Sequence, residues 1–343
     1  MRKIDYSFLK GLIPSSLLIK TNNIYDLRRK ELYRLLDTDK LFEKLDEVAI
    51  VDSTINSFNL EGIVSTKKRI YEIQNGGVIE NDIEKEILGY SKVLKDIIKN
   101  YNKISFSIDT IKSFYKKVSS SDFKEYKRED NVVMELLDDG TTKVAFYPTK
   151  AKDTNDQMNE WIDAFTNAYN DKEISNLLLI PCAILDFLCI QPFESNNGTL
   201  SRLLINLMLL KSDFDIERYM PIENMMVKDI DEYYNVLESS YKGWSENKNN
   251  YIPFIEYFLD KLYLSYKELD DRFIIPEDNK LMKKNRIEEI ILSSRKALSK
   301  MQISELAPDI SIKMIEFTLA NLLKSGVIVK TGSFKDAKYK KKR

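Results

Sequence analysis

The segment QPFESNNGTLSRLL, residues 191–204, combines a polar turn with the start of an apolar helix. The Asn and Gly residues of its SNNG turn tolerate the left-handed backbone conformations that a tight loop needs. We expect the helix to begin near Thr199 and to present free backbone N–H groups at its positive dipole end, with Arg202 in the first turn. This is the outline of an anion site, although Asn-Gly turns also precede many helices as ordinary loops.

The chain of 343 residues contains no histidine, which restricts the chemistry that such a site can perform. Histidine general bases, Ser-His and Cys-His nucleophile pairs and histidine metal sites are all excluded. Acid–base catalysis would have to come from carboxylates, lysine, tyrosine or cysteine.

The charge balance excludes a strong general attraction to nucleic acids or membranes, because 53 Lys and Arg residues face 54 Asp and Glu residues. The longest apolar run, LLLIPCAILDFLCI, is interrupted by Pro181 and Asp186, and the N-terminus is charged throughout. Cys182 and Cys189 lie seven residues apart in one apolar helix, on roughly one face, so we expect buried free thiols. A soluble cytoplasmic protein without membrane contact is predicted.

The hydrophobic spacing predicts a mainly helical chain with few strands. Apolar residues at three- and four-residue intervals from Leu41 to Phe58 predict a helix that stops at Gly62. Further helices are predicted over residues 82–100, 108–118, 155–169, 173–190, 199–211, 229–240 and 252–269.

One β-hairpin is predicted over residues 131–147, where two β-favouring runs flank Asp139-Gly140 in the segment NVVMELLDDGTTKVAFYP. A lone hairpin needs a docking partner to be stable. It is therefore either a packing appendage or an edge that pairs with an extended peptide by strand addition.

The pattern changes after the polar stretch FIIPEDNKLMKKN, residues 273–285. Three short helical patterns and the segment VIVKTGSFKDAKYKKKR resemble a winged helix-turn-helix, whose second helix in the turn would span residues 311–324. That helix carries only Lys313 and Lys324 against Glu316, a poor combination for reading a DNA groove, whereas the tail is basic. DNA binding and protein contact both remain open.

The segment ILDFLCIQPFESNNGTLSRLL resembles the signature His-Pro-Phe-x-(Asp/Glu)-Gly-Asn-Gly-Arg-x-x-Arg of the Fic (Fido-fold) family, whose members transfer AMP from ATP to target hydroxyls. Upstream, VDSTINSFNLEGI resembles the family's inhibitory helix, with Ser57, Glu61 and Gly62 in the pattern (Ser/Thr)-x-x-x-Glu-(Gly/Asn). The hairpin 131–147 lies where the family has its target-docking flap, and a C-terminal winged helix recurs in one bacterial subgroup. The resemblance spans the chain from about Asp5 to its end.

This resemblance implies a mainly α fold in three parts. We expect an N-terminal helical region over 1–100 that includes the inhibitory helix, a Fic core domain over 101–272 with its β-hairpin flap, and a winged helix-turn-helix domain over 284–343. It also implies ATP and magnesium as cofactors. The positions that would contact the nucleotide are Phe193, Asn197, Gly198, Thr199 and Arg202.

The motif departs from the family pattern where the chemistry occurs. Gln191 replaces the histidine that accepts the hydroxyl proton, and an amide has no useful basicity. Ser195 replaces the carboxylate that holds the divalent metal, Asn196 replaces a glycine and Thr199 replaces the first arginine. The retained residues are Pro192, Phe193, Asn197, Gly198 and Arg202. Glu194 could at most hold a metal and could not also replace the base.

The inhibitory half of the site matches the family pattern. In the family, the helix glutamate pairs with the second motif arginine, and these positions are Glu61 and Arg202 here. Glu61 is expected in the last turn of its helix, beside the negative dipole end, where a carboxylate is unfavourable by roughly 0.3–1 kcal/mol unless a cation is near. We predict a contact between Glu61 and Arg202, supported by Ser57 one turn earlier.

The leading hypothesis is a catalytically impaired Fic protein, a pseudoenzyme of the adenylyltransferase (AMPylase) family that acts through nucleotide binding or through an unknown protein partner at the flap. One alternative is an AMP transferase that remains active through an atypical site. Another is a DNA-binding regulator whose winged helix contacts DNA and whose Fic domain senses a ligand.

Overall fold

The computed structural model describes residues 2–35, 39–123, 125–136, 140–272, 283–294, 296–308, 310–332 and 337–342. The chain packs into two compact units. The first comprises Met1–Arg28 and Val48–Ser265, and the second comprises Arg29–Glu47 and Tyr266–Arg343. The domain boundaries predicted from the sequence stay a prediction.

The first eleven helices follow one another along the chain to residue 272. They are α1 (Ser15–Leu35), α2 (Asp39–Asn59), α3 (Lys67–Gln74), α4 (Asp82–Asn100), α5 (Ile108–Val118), α6 (Thr154–Tyr169), α7 (Asn176–Ile190), α8 (Asn197–Lys211), α9 (Glu223–Met226), α10 (Ile230–Tyr241) and α11 (Ile252–Arg272). The prediction of a mainly helical chain is confirmed. Helices α4 and α5 have the predicted bounds, whereas α1 and α3 were not predicted.

Helices α7 and α8 form the centre of the first unit. Both are buried along nearly their whole length, as expected for helices that are apolar on all sides. Helix α8 packs against α7 and α4, and α7 also packs against α6. The predicted buried thiols of Cys182 and Cys189 lie in α7, unpaired. The connection between α7 and α8 is therefore a short loop held by two rigid elements.

The predicted hairpin is present as strands β1 (Val133–Leu136) and β2 (Thr142–Phe146), which pair antiparallel with Met134 opposite Val144. Asp139 of the predicted turn lies outside the described residues. The hairpin is docked through Phe146, whose ring centroid is 4.7 Å from that of Tyr241. Its other described side chains are largely exposed.

Besides segments of α1, α2 and α11, the second unit contains three helices and a three-stranded sheet among the described residues from 283 onward. The helices are α12 (Lys283–Ser293), α13 (Lys300–Leu306) and α14 (Ile312–Lys324), and the strands are β3 (Leu298–Ser299), β4 (Ile328–Thr331) and β5 (Lys338–Lys341). The antiparallel sheet has the order β3-β5-β4. Isoleucines from α12, α13 and α14, among them Ile287, Ile303 and Ile315, form its core with Ile328 of β4.

The element order of this unit is the one predicted, and its assignment as a winged helix stays a prediction. The polar stretch 273–285, after which the sequence pattern changes, falls mainly on residues 273–282, outside the described residues. Within the described parts of the chain, no helix is both long enough and apolar enough to span a bilayer.

Candidate functional site

The loop between α7 and α8 contains two non-glycine residues in left-handed conformations. Gln191 caps α7 with φ 45°, and its N–H donates to Phe187 O at 3.0 Å. Asn196 has φ 59°, a conformation that asparagine tolerates better than most residues. Helix α8 begins at Asn197, two residues earlier than predicted, so the expectation that Arg202 lies in its first turn was wrong. Arg202 lies in the second turn.

Two of the retained motif residues hold the shape of this loop. Asn197 accepts a hydrogen bond from the Phe193 N–H at 3.1 Å and donates one to the Phe193 carbonyl at 2.9 Å. The buried Phe193 ring stacks on Tyr115 with centroids 4.0 Å apart and an interplanar angle of 12°. These contacts within the chain fix the conformation of the loop.

The segment between α5 and β1 supports the loop from outside the motif. The Lys127 N–H donates to Pro192 O at 2.9 Å, and its Nζ donates to Ile190 O at 3.1 Å. Asn131 donates to Phe193 O at 2.9 Å and lies 3.5 Å from the Gln191 side-chain oxygen. Burial lowers the pKa of Lys127 to about 8. Sequence reasoning missed both residues.

The predicted contact between Glu61 and Arg202 is present. Arg202 Nη2 donates to Glu61 Oε1 at 2.6 Å, and the Arg202 side chain is only 1% exposed. Ser57 accepts from Arg202 twice, through its hydroxyl from Nε at 2.7 Å and through its carbonyl from Nη2 at 2.7 Å. Burial acts to lower the pKa of Arg202, but the charge and hydrogen bond of Glu61 together with the neighbouring Tyr233 and Tyr90 raise this pKa overall, so the guanidinium stays protonated.

Glu61 lies in the turn that ends α2. The helix ends at Asn59, so the expectation that Glu61 belongs to its last helical turn was wrong. The Gly62 N–H donates to Asn59 O and the Ile63 N–H to Phe58 O, both at 3.0 Å, which is a Schellman ending. Gly62 has φ 75°, in the left-handed region that glycine favours. This ending fixes the direction in which Glu61 projects.

The Glu61 carboxylate lies against the first turn of α8. A Cβ atom placed on Gly198 would be only 2.2 Å from Glu61 Oε1. The position where the free N–H groups of a helix favour an anion is thus approached by a carboxylate of the chain itself. Glu61 therefore occupies the anion position next to Arg202.

A second buried carboxylate, Glu223, lies near Arg202. It accepts from Ser53 at 3.2 Å, from Tyr90 at 3.3 Å and from Asn206 at 3.4 Å, and Asn206 also donates to Arg202 O at 3.0 Å. Burial raises the pKa of Glu223, which favours its neutral form. The carboxylate that contacts the Arg202 guanidinium is therefore Glu61.

Three residues at the positions that depart from the motif form hydrogen bonds with one another and with α4. The Ser195 hydroxyl donates to Asn196 Oδ1 at 2.9 Å, and Asn196 Nδ2 donates to Glu86 Oε2 at 2.9 Å. Glu86 in turn accepts from the Ser120 N–H at 3.2 Å and from its hydroxyl at 2.7 Å. Thr199 donates to Asn196 O at 2.9 Å. These residues build a tether from the loop to α4.

The residues of the loop do not fit a magnesium ion. At position 195 a hydroxyl that already donates to Asn196 replaces the carboxylate that a hard cation prefers. The nearest alternative, Glu194, lies 3.7 Å from Arg128 Nε. In the described part of the chain, no group of three His, Cys, Asp or Glu residues could hold a metal ion. Gln191 offers an amide, which has no useful basicity.

Comparisons with known proteins agree with this architecture. A family model described as Fic/DOC family matches residues 105–209. A Fic family protein from Desulfovibrio desulfuricans G20 superposes with a TM-score of 0.61 at 14% identity, covering 97% of each chain. A Fic domain containing signaling protein from Bacteroides thetaiotaomicron superposes with a TM-score of 0.59 at 18% identity, covering 75% of this chain and 100% of that one.

Fic-1 from C. elegans superposes with a TM-score of 0.54 at 18% identity, covering 73% of this chain and 70% of that one. No curated protein matches the chain. The solved structures share the fold at low identity, and the predicted Fic fold is confirmed. The chain therefore carries a Fic/DOC family domain at residues 105–209.

Proposed function

We propose that this protein is a Fic-domain pseudoenzyme whose AMP-transfer site is closed by Glu61 and lacks the groups for transfer, so that it acts by binding a partner. The observation that carries the proposal is the Glu61 carboxylate, bonded to Arg202 and lying against Gly198. An incoming phosphate would have to displace this carboxylate from both. The proposed inhibition of AMP transfer by the end of α2 is therefore produced by the Glu61–Arg202 contact within the chain.

The lost groups account for the absence of transfer even when the site opens. Losing a general base at Gln191 typically costs roughly 10²- to 10⁴-fold in rate. Losing one preorganised charge-stabilising group, here the arginine replaced by Thr199, costs roughly 10²- to 10³-fold. The metal carboxylate replaced by Ser195 is a third loss. Even without additivity, AMP transfer falls to near background.

The hairpin 131–147 is the surface we propose for the partner. Met134 and Val144 stand opposite each other in the register and are 50% and 42% exposed, and Tyr147 beyond β2 is 68% exposed. Apolar side chains on a two-stranded sheet suit an extended peptide that adds a strand and inserts alternate side chains. A nucleotide at the α8 N-terminus would be a weaker, secondary ligand because Glu61 competes with it.

The test is label transfer from ATP with a radioactive α-phosphate, in the presence of magnesium and cell extract. Three proteins are compared: the native chain, Glu61→Gly, and a restored variant that adds Gln191→His, Ser195→Asp, Asn196→Gly and Thr199→Arg to Glu61→Gly. We expect label only with the restored variant. Label with the native chain or with Glu61→Gly alone would mean that a base and a metal site exist elsewhere, and the protein would be an active transferase.

A further inference from the structure

The C-terminal part of the chain carries a charge that the whole-chain balance conceals. Residues 283–343 contain 15 Lys and Arg residues against 6 Asp and Glu residues, whereas the complete chain has 53 against 54. The remainder of the chain is therefore acidic. An asymmetry of this size indicates a local attraction to a polyanion.

Three of the basic residues of this segment form a row along strand β5 and its end. Lys338, Lys340 and Lys342 alternate along the strand and are exposed, and we call these three residues the lysine row. Lys342 follows β5 and continues its pairing, because its N–H donates to Val327 O at 3.1 Å. Since side chains two apart on a strand share a face, successive ammonium groups project from backbone positions about 6.6–6.8 Å apart.

No charge within the sheet balances the lysine row. The residues opposite Lys338 and Lys340 on β4 are Thr331 and Val329, and Ser299 of β3 also faces Lys338. In the described part of the chain, none of the three ammonium groups has an ion-pair partner. Lysine is disfavoured in strands, and neighbouring like charges repel each other. The row is therefore unfavourable for the sheet itself.

Protection of a sheet edge explains at most part of the row. Exposed lysines are common on edge strands, where they prevent pairing with other chains. Strand β5 pairs with β4 along its whole length, whereas the two-residue strand β3 pairs only with Lys338 and Tyr339. Lys338 is thus paired on both sides and has no edge to protect, and a ligand that neutralises the charges accounts for all three lysines.

We propose that the lysine row binds the phosphate backbone of double-stranded DNA without reading its base sequence. Lysines supply point charges to phosphates, and such contacts carry no sequence information. Helix α14 does not add base readout, because its outward residues include Ile312 and Phe317, which are 56% and 55% exposed. Its Glu316 is held by Lys300 at 2.5 Å. Affinity is therefore electrostatic and depends strongly on salt.

A nucleic acid fits the row better than a lipid surface does. Membrane association of a basic surface of this size needs large apolar side chains on the same face that enter the acyl region. The described neighbours of the row on its face are Val327 and Val329, which are half-buried, and the polar residues Thr331 and Ser299. The row offers charge without an apolar anchor.

The experiment measures the binding of the full chain to a fluorescent 20-base-pair duplex by anisotropy, from 50 to 200 mM KCl. Three phosphate contacts predict a slope of log K against log[KCl] of about −2.7 and roughly a 40-fold loss of affinity over this range. The test variant is Lys338→Gln, Lys340→Gln and Lys342→Gln. We expect it to lose most of the slope and at least about tenfold in affinity at 100 mM salt.

Two controls separate the row from net charge and from folding. The variant with Lys92, Lys99 and Lys172 changed to Gln removes the same charge from exposed positions of the first unit, and it should bind like the native chain. Changing the three row lysines to Arg keeps the charge and should keep the slope. Circular dichroism verifies that each variant is folded.

Four results would overturn the proposal. The first is no duplex binding by the native chain at 50 mM KCl. The second is equal loss of affinity in the row variant and the charge-matched control. The third is a preference above about 100-fold among three duplexes of unrelated sequence, since base readout would then be present. The fourth is binding to phosphatidylserine vesicles but not to DNA.

Discussion

Substituting Gly198 by alanine tests the closed site through its tightest contact. The new Cβ would lie 2.2 Å from Glu61 Oε1, which real Cβ contacts essentially never show, so the carboxylate must shift away from the helix, and its bond to Arg202 is tested by that shift. Gly198 does not have a positive φ, and an alanine therefore introduces no backbone strain. The substitution acts on the Glu61 contact rather than on the fold of α8.

The size of the effect follows from the burial of the two partners. Breaking a fully buried pair costs about 3–5 kcal/mol, and an exposed pair is worth less than about 1 kcal/mol. Arg202 is 1% exposed and Glu61 is 36% exposed, and Arg202 keeps both bonds to Ser57, so we take about 1–3 kcal/mol. Alanine in place of glycine in a helix returns roughly 0.5–1 kcal/mol.

The assay is a double-mutant cycle by thermal unfolding, with Gly198→Ala and Glu61→Ala alone and combined. In the native background the gain from alanine leaves a net cost of about 0.5–2 kcal/mol, so Gly198→Ala should lower Tm by roughly 1–8 °C, at about 2–4 °C per kcal/mol for a unit of this size. In the Glu61→Ala background the carboxylate is absent, so the same change should raise Tm slightly. The change in Tm caused by Gly198→Ala is thus negative in the native background and positive in the Glu61→Ala background. Equal shifts in both backgrounds would show that Glu61 does not lie against Gly198 in solution, and that Glu61 does not close the site.

Two further predictions concern the residues that hold the loop. Asn196→Gly should cost about 1 kcal/mol through the lost bond to Glu86, and Asn196→Ala about 1–2 kcal/mol more, because alanine is strained at the left-handed φ of 59°; thermal unfolding of both variants would contradict this if glycine proved as costly as alanine. For Lys127, burial lowers the pKa to about 8 although Asp130 acts to raise it, whereas the unfolded chain has the ordinary value near 10.4. Between these pKa values the unfolded chain binds more protons than the folded chain, so the free energy of unfolding rises with pH. In urea unfolding, the stability of the native chain relative to Lys127→Met should therefore increase from about pH 8 to pH 10. A difference that stays constant with pH would refute the burial of this amine.

The sequence predicted the elements around the site because their patterns are local. Helices α4 and α5 have strong apolar periodicity between clear caps, and their bounds were predicted to the residue. Helix α1 was missed because its polar and charged residues blur the periodicity. The start of α8 was misplaced by two residues. The left-handed Asn196 stands just before the helix, which therefore begins at Asn197 and not at Thr199.

The supporting residues of the loop could not be predicted from local pattern. Lys127 lies in the charged stretch KEYKRED, which is typical of a solvated connection, yet its side chain is buried behind Ile190. Glu86 gives no signal either, because its bond to Asn196 joins positions 110 residues apart. The contact between Glu61 and Arg202 is as distant in sequence, and it was predicted only because the resemblance paired those two positions.

The pairing of Glu61 with Arg202 has a physical reason that is independent of catalysis. Arg202 is buried in the second turn of α8, and its charge requires a carboxylate that stays ionised. Burial raises the pKa of Glu223 nearby and favours its neutral form, whereas Glu61 accepts directly from the Arg202 guanidinium at 2.6 Å. Removing either partner alone leaves an uncompensated group, so neither residue can be lost in a single step without a cost in stability. Gln191 and Ser195 lie in the loop outside this pair, so the contacts of Arg202 with Glu61 and Ser57 do not depend on their side chains.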